Sequence, residues 1–427
     1  MYPADRAVVG EPALARGADQ PVALRAVRPG HALEDHLTQA APDQIGGRRS
    51  SHTPILRPPP NIAAPPRTPA RPVRFDLERA PAPRLVFGAR ADRVTGEDHV
   101  KYRTIGTDPK TRREVSVLSL GAMRFGTTTD EATSFAILDR YVAAGGTFID
   151  TSDNYAFWAN GTQGGESEQL LGRWRRSRGI GDEIVIATKL GARPLASGTS
   201  YTDNAEGLSA RVIRESAERS RDQLGMARLD LLYAHIEDPA VPLAETVAAF
   251  AALVAEGTVG LLGVSNHWAW RVERARSLAA AAGVPGYEVL QYHYSYLRPR
   301  TDLPGPLSPD GEQGVLGGDL LSYLRAEPQL AIVAYSPLLN GSYVREDKPL
   351  DAEFDHPGTP ARLAALREVA RDAGATVNQV VLAWLIGADI PMIPLVGASS
   401  VAQLDESLAA VDLKLTAAQR GRLDAAQ

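Results

Sequence analysis

A chain of 427 residues, 44% hydrophobic and 23% charged, has the length and composition of a soluble globular protein built as one large domain or a few smaller ones. Its net charge of −5 gives no basic footprint for a nucleic acid, and no apolar run approaches the roughly 18 residues that span a bilayer. Cysteine is absent, which removes disulfides, zinc clusters, iron–sulfur centres and thiol nucleophiles together. Met1 is not followed by a basic segment and an apolar signal core, so a cytoplasmic protein with no membrane partner is expected.

Residues 1–98 cluster prolines (Pro58, Pro59, Pro60, Pro65, Pro66) with arginines and hold no lasting apolar period. Such a segment cannot bury enough surface to offset its ordering entropy, so a disordered extension, or residues upstream of the real start, is expected. Asp5, Glu11, Asp19, Glu34 and Asp35 argue against an organelle transit peptide. The remaining residues, 99–427, are expected to form one domain.

From Tyr102 short β-branched runs alternate with longer segments of helical period, the pattern of parallel strands joined by crossover helices. A hairpin is predicted over 102–113, with Asp108-Pro109 at its turn, placed to plug the bottom of a barrel. Strands are predicted at 115–120, 147–150, 183–189, 229–235, 259–264, 287–292, 330–335 and 392–396. Between the first two, Asp130 can cap a helix over 130–144 whose Phe135, Leu138 and Val142 share a stripe, and Gly145 and Gly146 end it.

Eight strand–helix units match a closed (β/α)8 TIM barrel. An open doubly wound sheet usually carries a glycine-rich turn after its first strand, and Gly121-Ala122-Met123-Arg124-Phe125-Gly126 lacks the GxGxxG spacing. The stretch 298–318, rich in Pro, Gly and Asp, predicts a long loop after the sixth strand that would sit over the catalytic face as a candidate substrate lid.

In such a barrel catalysis belongs at the carboxyl ends of the strands, where Asp150, Tyr155, Lys189 and His235 fall. Taken singly, a strand-end Asp often caps a loop, a Lys often points to solvent, and a lone His is more often structural. On neighbouring strands they converge on one mouth. A tyrosine, with an ordinary pKa of about 10, holds its proton too firmly to be an ideal acid at neutral pH. A lysine ammonium about 4 Å away interacts with the phenolate by roughly 4 kcal/mol at an effective dielectric near 20, enough to lower that pKa by up to about three before desolvation opposes it. Tyr155 is thus expected to be drawn towards neutrality, with Asp150 orienting Lys189 and His235 donating a hydrogen bond to a carbonyl oxygen. Such a site suits carbonyl reduction.

At these residues the sequence resembles the aldo-keto reductase family, through Phe148-Ile149-Asp150-Thr151-Ser152-Asp153-Asn154-Tyr155, then Ala187-Thr188-Lys189, then Leu232-Tyr233-Ala234-His235-Ile236-Glu237-Asp238. The resemblance covers essentially everything after Lys101. It implies a catalytic tetrad of Asp150, Tyr155, Lys189 and His235, with Tyr155 as proton donor, hydride from a reduced nicotinamide, and a small aldehyde or ketone as substrate. It also implies that Ser265, Asn266 and Gln291 hold the nicotinamide carboxamide. Tyr335, in Ala334-Tyr335-Ser336-Pro337-Leu338, would stack on the ring, with Gly121, Met123, Asp150, Ser336 and Leu338 as further cofactor contacts. No metal is implied.

The segment from Leu395 to Ser407 has the form of a phosphate site: Gly397 and Ala398 are small, Ser399 or Ser400 can cap a helix, and Gln403 and Ser407 follow at helical spacing. By itself this is an ordinary capped helix; the resemblance makes Gly397, Ser399, Gln403 and Ser407 cofactor contacts. Val396 to Leu413 contains no Lys or Arg to grip an adenosine 2′-phosphate, although Arg345 or Lys348 could bring the charge from another loop. NADPH is expected, with NADH the alternative.

The loop 156–165 is long and aromatic, and Phe157 and Trp158 either line an apolar pocket or anchor the loop to the rim. Trp268 and Trp270 are expected to pack a helix start, and Ser167 and Glu168 to open the second crossover helix, where Glu suits the dipole. Three rival readings stand beside the reductase. One is a nicotinamide-binding regulatory subunit of a membrane channel, a role some family members play. Another is a metal-dependent barrel using His235, Glu237, Asp238 and His293. The last is a barrel that only binds a partner. The choice between monomer and homo-oligomer stays open.

Overall fold

The computed structural model describes residues 101–427 other than 161, 162, 306 and 312, so the extension expected at 1–98 lies outside the described residues. The described strands are β1 (Tyr102–Ile105), β2 (Arg113–Ser116), β3 (Ser119–Gly121), β4 (Phe148–Asp150), β5 (Val185–Leu190), β6 (Leu229–Ala234), β7 (Val259–Ser265), β8 (Val289–His293), β9 (Ala331–Tyr335) and β10 (Met392–Gly397). Strands β3 to β10 pair in parallel in chain order, and β10 returns to β3, with Leu395 opposite Ser119 and Val396 opposite Leu120. The (β/α)8 barrel is closed.

These strands are apolar on both faces because both faces are covered. Every residue of β5, β6 and β7 is buried. The period of two divides them. Phe148, Val185, Ala187, Leu231, Leu261, Val289, Val333 and Ile393 pack inside the barrel, whereas Ile149, Ile186, Leu232, Leu262, Leu290 and Ile332 pack outward under the helices. The same parity carries on to the strand ends. Asp150 follows Phe148 by two, Lys189 follows Ala187, Gln291 follows Val289 and Tyr335 follows Val333, so polar side chains come to crown the interior.

The antiparallel β1–β2 pair forms the expected hairpin, and Ile105 and Val115 join the interior cluster, plugging the barrel. Gly106 is required there: its φ is +84°, and a Cβ would lie 2.6 Å from a Leu261 methyl. The run read as one strand over 115–120 is in fact divided between β2 and β3. Ser116 Oγ donates to the Leu118 carbonyl at 2.9 Å, and Val117 N–H donates to Lys101 O at 2.9 Å, so the chain bends between hairpin and barrel.

The helix predicted over 130–144 forms as Glu131–Ala143, with Asp130 accepting from Thr133 N–H at 2.9 Å. Its buried face is Ser134, Ile137, Leu138, Tyr141 and Val142. Phe135 sits at the edge of that stripe, under the Arg178 guanidinium at 5.3 Å. No helix among the described residues is long and apolar enough to cross a membrane.

Candidate active site

Lys189, one residue before the end of β5, faces inward and is fully buried. Its ammonium has three donors and three acceptors: Asp150 Oδ1, the Thr151 carbonyl at 2.8 Å and the Tyr155 hydroxyl oxygen at 2.9 Å. The Gln291 amide donates to the other Asp150 oxygen at 2.7 Å. His235 lies edge-on to Tyr155, ring centroids 6.1 Å apart, and its Nδ1 is 3.1 Å from Ser152 Oγ. The structure therefore brings Asp150, Tyr155, Lys189 and His235 to one place, with Gln291 beneath.

The electrostatics differ from the expectation in one sign. Burial pushes the Tyr155 hydroxyl above its usual value, and the Asp150 carboxylate adds to that, together outweighing the downward pull of Lys189. Tyr155 is thus firmly protonated rather than drawn towards neutrality. Burial pulls the Lys189 ammonium down, but Asp150 and Tyr155 together carry it above its ordinary range. Burial pushes Asp150 up, against Lys189 and Gln291. With a donor on each carboxylate oxygen, Asp150 and Lys189 are an ion pair. Burial, and then Lys189, hold His235 well below the usual histidine range, so its imidazole is neutral.

Backbone strain gathers on the same face. Among the described residues every non-glycine with positive φ follows a barrel strand at its carboxyl end: Ala156 after β4, Asn266 after β7, and Ser336, Leu339 and Asn340 after β9. Such conformations cost of the order of 1–3 kcal/mol each and cluster where function over-determines the backbone. Asn266 is held on every side. Its Nδ2 donates to His235 O at 3.0 Å, its Oδ1 accepts from Tyr335 OH at 2.9 Å, and its carbonyl accepts from Gln313 at 3.1 Å. Ser265 Oγ donates to the Gln291 carbonyl at 2.8 Å.

The segment from Leu395 to Ser407 is built as a capped helix. Ser400, not Ser399, is the N-cap of Val401–Ala409, while Ser399 donates through both N–H and hydroxyl to Gln403 Oε1 at 2.8 and 2.9 Å. Ser407 Oγ donates to the Gln403 carbonyl at 3.2 Å. Gly397 is exposed, and a Cβ there would meet nothing within 4 Å, so the backbone is open to an approaching phosphate. In the barrel register Gly397 pairs with Gly121 and Gly121 with Asp150, which links the two ends of the site; Met123, after β3, and Leu338, after β9, are half-buried. A tyrosine ring, amide and hydroxyl side chains at one end and an open glycine before a helix at the other fit a nicotinamide dinucleotide.

Several features were not foreseen. Ser152 and Asn154, read only as parts of a motif, form a relay: Ser152 contacts both His235 and Asn154, and Asn154 donates to the Ala192 carbonyl. A buried carboxylate group lies behind the Tyr155 loop: Asp153 and Glu206 each lie 3.0 Å from Arg219, and Glu168 accepts from Thr188 Oγ1 at 2.5 Å. Spacing in sequence carries no signal for it, since its members come from separate elements. Phe157 is the buried anchor of its loop, whereas half-buried Trp158 stands edge-on to Tyr155 at 6.2 Å; Tyr201 packs on Phe157 at 6.1 Å. Trp268 stands at the N-cap of the helix Ala269–Ala282, but Trp270 is 60% exposed, because it lies on that helix's solvent face.

The long loop reaches the mouth as expected: His293 N–H donates to Gly314 O at 2.8 Å and Leu316 N–H to His293 O at 3.0 Å. The metal-site alternative finds no cluster. Glu237 faces Arg271 at 3.5 Å, Asp238 accepts from Leu208 N–H at 2.9 Å, and among the described residues no three His, Asp or Glu side chains gather to hold an ion.

Comparison with known proteins agrees with this geometry. Residues 117–427 match the model of the Aldo/keto reductase family. The chain is similar to norsolorinic acid reductase B of Dothistroma septosporum, 29% identical over 357 residues that cover 79% of this chain and 85% of that protein. It is also similar to aldo-keto reductase str7 of Strobilurus tenacellus, 31% identical over 323 residues, 71% of this chain and 85% of the relative. A third relative, the uncharacterized oxidoreductase YrpG of Bacillus subtilis, is 28% identical over 327 residues, 74% and 92%. The closed barrel and the family match over most of its length agree, and the chain belongs to the aldo/keto reductase family as an oxidoreductase of that type.

Proposed function

We propose that the protein reduces an aldehyde or ketone to the alcohol with NADPH, and that Tyr155 gives the proton to the carbonyl oxygen. The observation that carries this is the buried Lys189 ammonium, joined at once to Asp150 and to the Tyr155 oxygen at 2.9 Å. A reduced nicotinamide, when bound, supplies the hydride that the carbonyl carbon receives. The oxygen becomes an alkoxide-like base as that happens, stronger than a phenolate, so even a firmly held tyrosine proton transfers downhill. Lys189 then stabilises the tyrosinate left behind, and Asp150 keeps Lys189 charged and aimed. All of these residues fall within the proposed domain 99–427.

Trp158 beside Tyr155, backed by Phe157 and Tyr201, supports a substrate with a flat apolar body next to its carbonyl. The relative named norsolorinic acid reductase B points to the same class of reaction. The test is loss of NADPH absorbance with a panel of aromatic aldehydes, diketones and keto sugars. Tyr155→Phe is expected to lower kcat by about 10²–10⁴-fold with coenzyme affinity kept. Full activity in Tyr155→Phe would refute the assigned donor, and tight NADPH binding without turnover in the wild type would favour a regulatory subunit.

A further inference from the structure

Where β7 ends, three successive buried residues, Ser265, Asn266 and His267, have their carbonyls taken by side chains. His267 Nδ1 donates to Ser265 O at 2.8 Å, Gln313 Nε2 to Asn266 O at 3.1 Å and the Tyr292 hydroxyl to His267 O at 2.7 Å. Two of these donors belong to the barrel, since His267 follows β7 and Tyr292 lies on β8. The third, Gln313, comes from the long loop 298–318. That loop is seated against the barrel at this point. Gly314 O accepts from His293 N–H at 2.8 Å and Leu316 N–H donates to His293 O at 3.0 Å, so 313–316 runs beside the end of β8. Gly314 has φ +86°, and a Cβ there would lie 2.8 Å from Asn266 Oδ1, so the loop backbone passes directly against the asparagine side chain. Gln313 is itself buried, and its amide also meets Glu237, whose carboxyl is raised by burial against Arg271, the Trp268 N–H and Gln313.

Asn266 needs such support. Its φ of +58° is one that non-glycine residues seldom adopt. The His235 carbonyl and the Tyr335 hydroxyl fix its side chain, and Gln313 fixes the peptide that follows. Without that donor the Asn266 carbonyl is buried and unpaired, and rotation of the 266–267 peptide is the direct relief, which turns the side chain as well. We infer that Gln313 is a positioning residue for the coenzyme: it ties the Asn266 carbonyl to the long loop and so holds the Asn266 amide at the angle at which it meets a nicotinamide carboxamide. The inference rests on the reductase reading, in which Asn266 faces that carboxamide. The inner end of the loop then belongs to the coenzyme site, and a small misplacement there weakens binding without touching the adenosine end.

The test reads binding rather than turnover. Calorimetric titration of the full chain with NADPH, and with 2′,5′-ADP, which carries the adenosine end without the nicotinamide, compares wild type with Gln313→Met and Gln313→Glu. Methionine keeps the volume and loses the donor, whereas glutamate sets a further carboxylate against the Asn266 carbonyl and Glu237. Both variants are expected to bind NADPH about tenfold more weakly, the glutamate variant the more so, and 2′,5′-ADP within about twofold of wild type. Unchanged NADPH affinity in both variants would overturn the proposal. So would an equal loss for both ligands, which marks a general slackening of the fold. A wild type that binds neither ligand sinks the coenzyme reading and this role with it, whereas tight binding by wild type and variants alike sinks this role alone.

Discussion

Tyr155 sits between an ammonium that draws its pKa down and a carboxylate that pushes it up, in a place where burial already favours the neutral phenol. Strand-end spacing finds such a residue, because inward parity brings Asp150 and Lys189 to the same mouth. It does not give the sign of the shift, which depends on how completely water is excluded and on how near the third charge lies. Glu168 makes the same point. Its sequence position suits a helix amino terminus, yet the side chain is buried against Thr188 on β5, directly behind Lys189. Burial raises its pKa from 4.5 to about 7. A carboxyl whose folded pKa is raised binds its proton more tightly in the native state, so its contribution to stability is full below pH 4.5 and is lost as pH rises to about 7. At about 1.4 kcal/mol per pH unit, that window is worth up to about 3 kcal/mol. Thermal unfolding of the wild type and Glu168→Gln from pH 5 to 8 reads it as a difference. The variant, neutral throughout, is expected to lose less stability on going to pH 8; parallel curves would mean that Glu168 titrates normally.

Strand by strand, the barrel was legible because eight apolar β-branched runs recur between helical segments, and all eight appear with ends moved by a residue or two, apart from the divided first run. The short helices Phe157–Asn160 and Tyr201–Asn204 were not legible, being single turns held by tertiary packing rather than by a periodic stripe. Packing between strands is also hidden from sequence. Gly263 on β7 has its place set by Tyr233 on β6, whose ring would lie 2.3 Å from a Cβ at 263, with the Val289 carbonyl at 2.9 Å. Tyr233 is fully buried within the barrel, so neither strand can yield cheaply. Gly263→Ala is therefore expected to cost about 1–3 kcal/mol, seen as a lower urea midpoint, and adding Tyr233→Leu should recover part of it. An unchanged midpoint would show that the ring simply swings aside. Gly397→Ala, with open space around it, is the control.

Across the whole molecule, the site depends on loops far apart in the chain, and there the sequence was least informative. The phosphate-end segment lacks a basic side chain, but the closed barrel sets the loops after β3 and β9 on either side of β10. Lys348 reaches the carbonyl of Asn340 at 3.1 Å, and its ammonium is pulled below the usual lysine range by burial and then by the nearby charges of Arg345 and Arg124. Arg345 is paired with Asp347, which leaves an excess of positive charge shared by two loops at one rim of the mouth. Like charges held together raise each other's energy, and a dianionic phosphate relieves that repulsion while gaining charge-assisted hydrogen bonds. If this cluster grips the 2′-phosphate, Lys348→Ala should weaken NADPH about 10–100-fold and leave NADH nearly unchanged, with Arg124→Ala acting in the same direction. Added salt should weaken NADPH in the wild type more than in Lys348→Ala, since screening acts on the charge that the variant lacks. Fluorescence titration with the two coenzymes separates the cases: equal loss for both would place Lys348 on the pyrophosphate, and no loss for either would send the search for the 2′-phosphate contact elsewhere on the rim.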